Sequence, residues 1–312
     1  MSNSLVLSAY NGERYVREQL DSILAQTLPL DQVLISDDGS SDGTPQIVAE
    51  CISKLNDPRW SFSANGLNKG WKRNFRDLIL QSSCDYVFPC DQDDVWLPPK
   101  VQIMSTIMQE HPGIDLLACE VETFCDGGKD TKIPGVVPQN IVRENGIRRI
   151  TLDPWSLYIR RPGCSYCVRK TFAEEVAPHW NPAWPHDATL WRFAAAKGTL
   201  ALLDDTLIRF RRHGGNASDR KPISNSSRVT DLRYCIEMLN AIRGFQCKSG
   251  MLHPESVSFI ESALPWFEAR LEFLTRRSLK ALAAMTAHHE LYISNRGFLV
   301  DIILGLNPKI TI

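Results

Sequence analysis

The first ~120 residues alternate short apolar runs with helical periods, and that alternation restricts the chain more than any other feature. Leu5-Val6-Leu7 reads as a strand, and Glu13 to Gln26 as a helix with Val16, Leu20, Ile23 and Leu24 on one face. Gln32 to Ser36 is a second strand; it runs through Asp37-Asp38-Gly39-Ser40-Ser41-Asp42-Gly43-Thr44 into a helix from Pro45 to Leu55. Trp60 to Ser63 and Tyr86-Val87-Phe88 are further strands, with a helix from Asn74 to Gln81 between them. The strand at Tyr86 ends in Asp91-Gln92-Asp93-Asp94, after which Pro98 and Pro99 open another helix, and Ile114 to Phe124 returns to strand. Such a succession builds an open α/β sheet. Each acidic or Gly-rich cluster falls at the C-terminal end of a strand, the edge at which open α/β sheets bind ligands.

Beyond this body the pattern changes. Cys125 to about Pro154 carries Gly127-Gly128, Pro134-Gly135 and Pro138 and reads as a loop-rich insertion. Ala188 to Lys197 is helical, and after Ser224 three helical stretches follow: Val229 to Arg243, Pro254 to His289 and Leu291 to Leu306. The expected division is an α/β domain over residues 1–223 and a helical region over 224–312.

Charge is unevenly spread along the chain. The net charge is −1, which excludes the global basic field of a nucleic-acid binder, and no nucleic-acid partner is expected. From Thr206 onward, however, 15 Lys and Arg face 9 Asp and Glu, a balance of +6. A basic tail with an apolar stretch from Leu291 to Leu306 is expected to dock on an anionic membrane or to support a homodimer. No apolar run approaches the ~20 residues that span a bilayer. The N-terminal stretch lacks the pattern of a signal peptide, and the nine cysteines show no framework spacing. A cytoplasmic protein is therefore expected, peripheral at most on the inner face of the plasma membrane. Cys164 and Cys167 form a lone CxxC, better read as core or loop thiols than as zinc ligands or a redox pair.

Asp91 and Asp93, one residue apart at a strand end, can both reach one hard divalent cation, Mn²⁺ or Mg²⁺, able to bridge a diphosphate. Otherwise they are an exposed acidic turn before the next helix. Asp37 and Asp38 can accept hydrogen bonds from a nucleobase N–H or ribose hydroxyls, or serve only the turn into the next helix.

Taken in order, LVLSAYNGERYVREQLDSILAQT, VLISDDGSSDGT, NKGWKRNF and YVFPCDQDDVWLPPK closely resemble glycosyltransferase family 2 over residues 1 to about 215. The DQDDVW form resembles the rhamnosyltransferase-like branch of bacterial surface polysaccharide (O-antigen) synthesis. The resemblance implies a GT-A fold, a Rossmann-like nucleotide-sugar-binding sheet, for the α/β domain, with the helical region as a C-terminal extension. It implies that Tyr10 packs on the nucleotide base, that Asp37 and Asp38 contact uridine or thymidine, and that Arg73 lies near the nucleotide. It makes Asp91 and Asp93 the metal-binding DxD motif, with Asp91 also facing the donor, and His213 of the Arg211-Arg212-His213 segment a further metal ligand. Arg211 or Arg212 is expected to offset diphosphate charge. Asp187, in Pro185-His186-Asp187 before a helix, stands where the family has its acidic catalytic base; many members carry Glu-Asp there. The Gly-containing stretch Arg161 to Ser165 lies where the family lines donor sugar and acceptor, with no role assigned to its individual residues.

The activity so implied is metal-dependent, inverting transfer of a sugar, L-rhamnose from dTDP-L-rhamnose foremost, to a hydroxyl of a glycan or lipid-linked glycan. A UDP-hexose donor is the alternative, since uracil and thymine differ by one methyl. A sugar nucleotidyltransferase would want a Gly-rich basic phosphate loop after the first strand, where this chain has SAYNGERY. A non-catalytic nucleotide-sugar-binding protein would bind donor without turnover, and no lost catalytic group suggests one.

Overall fold

A computed structural model describes residues 1–126, 143–144, 146–214, 222–249 and 252–312. The chain forms two units. The first comprises Met1–Ile150, Ile159–Ala194 and Thr199–Asn216; the second comprises Thr151–Tyr158, Ala195–Gly198 and Ala217–Ile312.

The strands all belong to the first unit. They are β1 (Asn3–Ala9), β2 (Gln32–Asp37), β3 (Trp60–Ala64), β4 (Tyr86–Cys90), β5 (Val95–Trp96), β6 (Leu116–Cys125), β7 (Arg143–Glu144), β8 (Ile147–Ile150), β9 (Tyr166–Arg169) and β10 (Leu200–Arg212). They make one sheet in the order β3-β2-β1-β4-β9-β6-β10-β8-β7, with β5 pairing β10. β1 runs parallel to β2 and β4, and β2 to β3. Every residue of β1 is buried, as a parallel strand covered on both faces requires. Helices α1 (Val16–Leu24), α2 (Thr44–Leu55), α3 (Trp71–Gln81) and α4 (Lys100–Glu110) connect these strands, so the alternation expected from the sequence is met.

Beyond β4 the sheet turns mixed. β9 is antiparallel to both β4 and β6, whereas β6 and β10 are parallel. β10 is the long strand that the sequence did not announce. Its polar Asp204-Asp205 coincides with irregular pairing between Leu203 and Ile208, which breaks the local period. The strand matters for function, because its pairing with β5 (Ile208 with Trp96, Arg209 with Val95) braces the acidic turn between β4 and β5. The short helix α5 (Lys170–Val176) follows β9, and α6 starts at His186 and runs to Lys197, two residues earlier than the Ala188 start expected.

The second unit contains α7 (Asn225–Ser249), α8 (Pro254–Arg276), α9 (Leu279–Ala287) and α10 (Asn295–Leu306). The single helix expected from Pro254 to His289 is interrupted: Arg277 is left-handed at φ 56°, and Ser278 caps α9 by accepting the Ala281 N–H at 3.2 Å. In the core, Asp301 is fully buried, accepting from Arg228 Nε and Arg270 Nε at 2.7 Å each and from the Tyr292 hydroxyl at 2.8 Å. Arg270 lies over the rings of Trp266 and Tyr292. The loop-rich stretch expected after Cys125 lies in part outside the described residues, and so do Gly215 and Asn216.

Candidate active site

The C-terminal ends of β1, β2 and β4 and the N-terminal turn of α6 bring together most of the acids singled out above. The loop after β1 is fixed by side chains from its neighbours. Gln92 clasps the backbone of Tyr10, accepting its N–H at 2.7 Å and donating to its carbonyl at 2.9 Å. A side chain at Gly12 would collide with that amide, its Cβ falling 2.3 Å from Gln92 Oε1. Asn11, at φ 48°, takes the Ser41 N–H, while its own N–H donates to Ser40. The Tyr10 ring, held at the backbone only, is 46% exposed.

Asp37 and Asp38 are each 1% exposed, yet differ in what they do. The Asp37 carboxylate serves its own turn, accepting the N–H groups of Gly39 and Ser40 and the Ser40 hydroxyl. Asp38 Oδ1 accepts from Asn65 Nδ2 and the Lys69 N–H, both at 3.0 Å, while its Oδ2 is buried without a donor. Asn74, fully buried at the start of α3, ties the strand ends together by donating to Ser8 Oγ and the Ser36 carbonyl. Arg73 is exposed on the same helix and has no ion pair among the described residues.

The turn after β4 concentrates negative charge. Burial, with added repulsion from Asp93 and Asp187, pushes the Asp91 carboxyl up to about 7. Burial, with repulsion from Asp93 and Asp91, lifts Asp94 well above the usual carboxylate range; its Oδ1 accepts the Arg211 N–H and its Oδ2 lacks a donor. Asp91, Asp94 and Cys164 hold candidate ligand atoms within 4.8 Å of one another. His213 Nε2 meets Asp93 Oδ2 at 2.7 Å, with the imidazole against the Tyr15 ring. Oxygen-rich, crowded with like charge and short of donors, this turn fits a hard divalent cation. Of the ligands expected, His213 pairs with Asp93, whereas the atoms that lie within 4.8 Å of one another belong to Asp91, Asp94 and Cys164, of which only Asp91 was expected as a ligand.

Arg211 requires a correction. It is buried, with its guanidinium on Glu18 at 2.5 Å, on the Asp93 carbonyl at 2.8 Å and between the rings of Tyr15 and Phe124. It braces the acidic turn from behind and is not presented to a diphosphate. Cys164 and Cys167 are buried free thiols in the core, as expected. Lys100, with no exposed surface, sets its ammonium 3.6 Å over the Trp96 ring, and burial lowers its pKa.

Asp187 lies in the first turn of α6, where the helix dipole favours a carboxylate; its Oδ1 accepts the Ala188 N–H at 2.7 Å. His186 is 3% exposed, packs 4.1 Å from the Phe75 ring, and both its nitrogens lack partners. Burial lowers it to about 4, so the ring is neutral at pH 7. The turn at Gly163 passes directly over this pair: a Cβ there would lie 2.4 Å from His186 Nε2 and 3.1 Å from Asp187 Cβ. That close approach sets the Arg161–Ser165 stretch against the start of α6, with Arg161 anchored on Glu120.

The model of the family described as glycosyl transferase family 2 matches residues 4–174. The chain is 27% identical over 225 residues to an uncharacterized protein of Mycobacterium tuberculosis, covering 67% of this chain and 58% of that protein. Among solved structures it is similar to S. aureus TarS 1–349 in complex with UDP (TM-score 0.60, 18% identity, 90% of this chain and 76% of that one). It is also similar to the mannosyltransferase PcManGT from Pyrobaculum calidifontis in complex with GDP-Man and Mn²⁺ (TM-score 0.52, 14% identity, 99% and 88%). These likenesses bear out the α/β, GT-A fold with its helical C-terminal region.

Proposed function

As this chain belongs to glycosyl transferase family 2, we propose that it transfers a sugar from a nucleoside-diphosphate donor to an acceptor hydroxyl with inversion at the anomeric carbon. The observation that carries this reading is the convergence of Asp91, Asp93 and Asp187 on one sheet edge, with His213 against Asp93 and an unsatisfied buried oxygen on Asp38.

In this reading Asp38 Oδ2 accepts the N3–H of uracil or thymine or a ribose hydroxyl, since the protein offers it no donor of its own. Asp37 holds the turn that aims it. The exposed Tyr10 ring stacks on the base, fixed by the Gln92 clasp, and Arg73 lies near the nucleotide as an uncommitted cation. Asp91, Asp93 and His213 would hold Mn²⁺ or Mg²⁺, which neutralises the diphosphate leaving group when bound. Asp187 takes the proton of the acceptor hydroxyl as its oxygen bonds to the anomeric carbon; the bond to the diphosphate breaks and the nucleoside diphosphate departs from the opposite face. The Gly163 turn and neutral His186 shape the acceptor side. PcManGT, with GDP-Man and Mn²⁺, supports the cation, and TarS, with UDP, supports a pyrimidine nucleotide.

The motif resemblance favours dTDP-L-rhamnose over a UDP-hexose, with a lipid-linked glycan as acceptor. A thermal-shift comparison of dTDP-L-rhamnose, UDP-glucose and UDP-GlcNAc with and without Mn²⁺ tests donor and cation together, because a ligand of the folded state raises its melting temperature. The expected result is the largest rise with dTDP-L-rhamnose and Mn²⁺, cation-dependent turnover of that donor, and loss of turnover in Asp93→Ala. Full activity in excess EDTA would remove the cation from the mechanism.

A further inference from the structure

The second unit carries an apolar stripe on α10. On α10, Leu299, Ile303 and Leu306 recur at helical spacing and are 56%, 43% and 67% exposed, while Val300, Asp301, Leu304 and Gly305 are buried. The one acid of this helix is thus turned inward, and Arg296 is the only charge on its outer surface. Leu279, the first residue of α9, is 80% exposed.

The charge around this stripe is mostly positive. From Glu268 to Ile312 the exposed cations are Arg276, Arg277, Lys280, Arg296 and Lys309, against three exposed acids, Glu268, Glu272 and Glu290. None of the five has an ion pair among the described residues. A cavity of about 530 Å³ lined by Arg276, Arg277 and Pro308 sets the corner between α8 and α9 beside the chain that leaves α10, two residues after Leu306.

We infer that this face docks on an anionic phospholipid surface. Leu299, Ile303 and Leu306 enter the boundary between headgroups and acyl chains, and Arg276, Arg277 and Lys280 pair with lipid phosphates. A helix with an apolar stripe and cations beside it lies in the plane of a bilayer. It does not span one, for no described helix is long and apolar enough to cross. A second copy fits this face less well, since two-fold pairing would set the same cations against each other, five of them against three exposed acids. The inference depends on the second unit alone and stands whatever the donor proves to be.

Cosedimentation of the intact protein with phosphatidylglycerol–phosphatidylcholine vesicles, and with phosphatidylcholine alone, tests it. Binding is expected only to the anionic vesicles and weakens with added salt. Replacing Arg276 and Arg277 by Gln lowers apparent affinity about five-fold per residue. Replacing Leu299, Ile303 and Leu306 by Ser lowers it about ten-fold or more. All five positions are exposed, and an unchanged unfolding midpoint verifies that the variants are folded. Wild-type protein that stays in the supernatant with anionic vesicles at low salt overturns the inference, as does a folded serine variant that binds like wild type. A dimer by light scattering that the serine variant converts to monomer, without vesicle binding by the wild type, overturns it in favour of self-association.

Discussion

Asp301 and Asp91 are both carboxylates drawn into the protein, and their surroundings are opposite. Around Asp301 the charge is closed: Arg228, Arg270 and Tyr292 occupy both oxygens in a fully buried site. Around Asp91 it is open: the neighbours are Asp93 and Asp187, and repulsion adds to burial to lift its pKa to about 7. A closed buried network fixes one packing of the helices. An open cluster of like charges destabilises the protein on its own and is relieved by something bound from outside. The contrast separates a carboxylate that serves structure from carboxylates that serve chemistry.

The largest effect that can sharpen this contrast is on turnover. Asp187→Asn is expected to lower transfer by ~10²–10⁴ while the donor-induced thermal shift is retained. The amide can still accept the Ala188 N–H, so the start of α6 survives while the base is deleted. Transfer within a few-fold of wild type would reduce Asp187 to a helix-start residue and move the search for a base to His186.

Asp301→Ala should act on stability instead. It strands the Arg270 guanidinium, 1% exposed, without its carboxylate, and removal of one partner of a buried pair costs about 3–5 kcal/mol. Urea unfolding should show this loss, whereas Asp91→Asn, which removes a repelled charge, should cost little without a cation. If Asp301→Ala cost less than about 1 kcal/mol, or Asp91→Asn as much as Asp301→Ala, the contrast would fail.

The smallest expected effect concerns His186, a buried base rather than a buried acid. Its folded pKa, about 4, lies below the ordinary value of 6.5, so the unfolded chain binds the proton more readily. Its contribution is therefore complete above pH 6.5, declines as pH falls towards 4, and is worth about 3 kcal/mol across that window. The difference in urea-unfolding free energy between wild type and His186→Gln should narrow as the pH is lowered from 7.5 to 4.5. A constant difference would mean that the imidazole is solvated or partnered.

Much of the sheet could be read from local pattern. β1, β2 and β4 are apolar runs followed by turn residues, and a strand end is a place that spacing alone reveals. Asp37, Asp38, Asp91 and Asp93 stood out for that reason, and Asp187 because it precedes a helical stretch in a segment that resembles the family's. Other features gave no local signal. β9 is four residues long, and β10 hides behind Asp204-Asp205. Gln92, between Asp91 and Asp93, holds the loop 82 positions earlier.

Neighbouring residues specify the α/β order, the acids at the strand ends and the apolar stretch of the tail, because each is written locally, at a period of two or 3.6 or directly after a strand. They placed Asp301 in an apolar helix without saying whether that charge faced lipid, water or a partner. Folding settled that, by bringing Arg228 from 73 positions away and Arg270 from 31. It likewise set His213 on Asp93 across 120 positions and turned Arg211 away from the site. A charge takes its meaning from what surrounds it once water is excluded, and those surroundings come from distant parts of the chain.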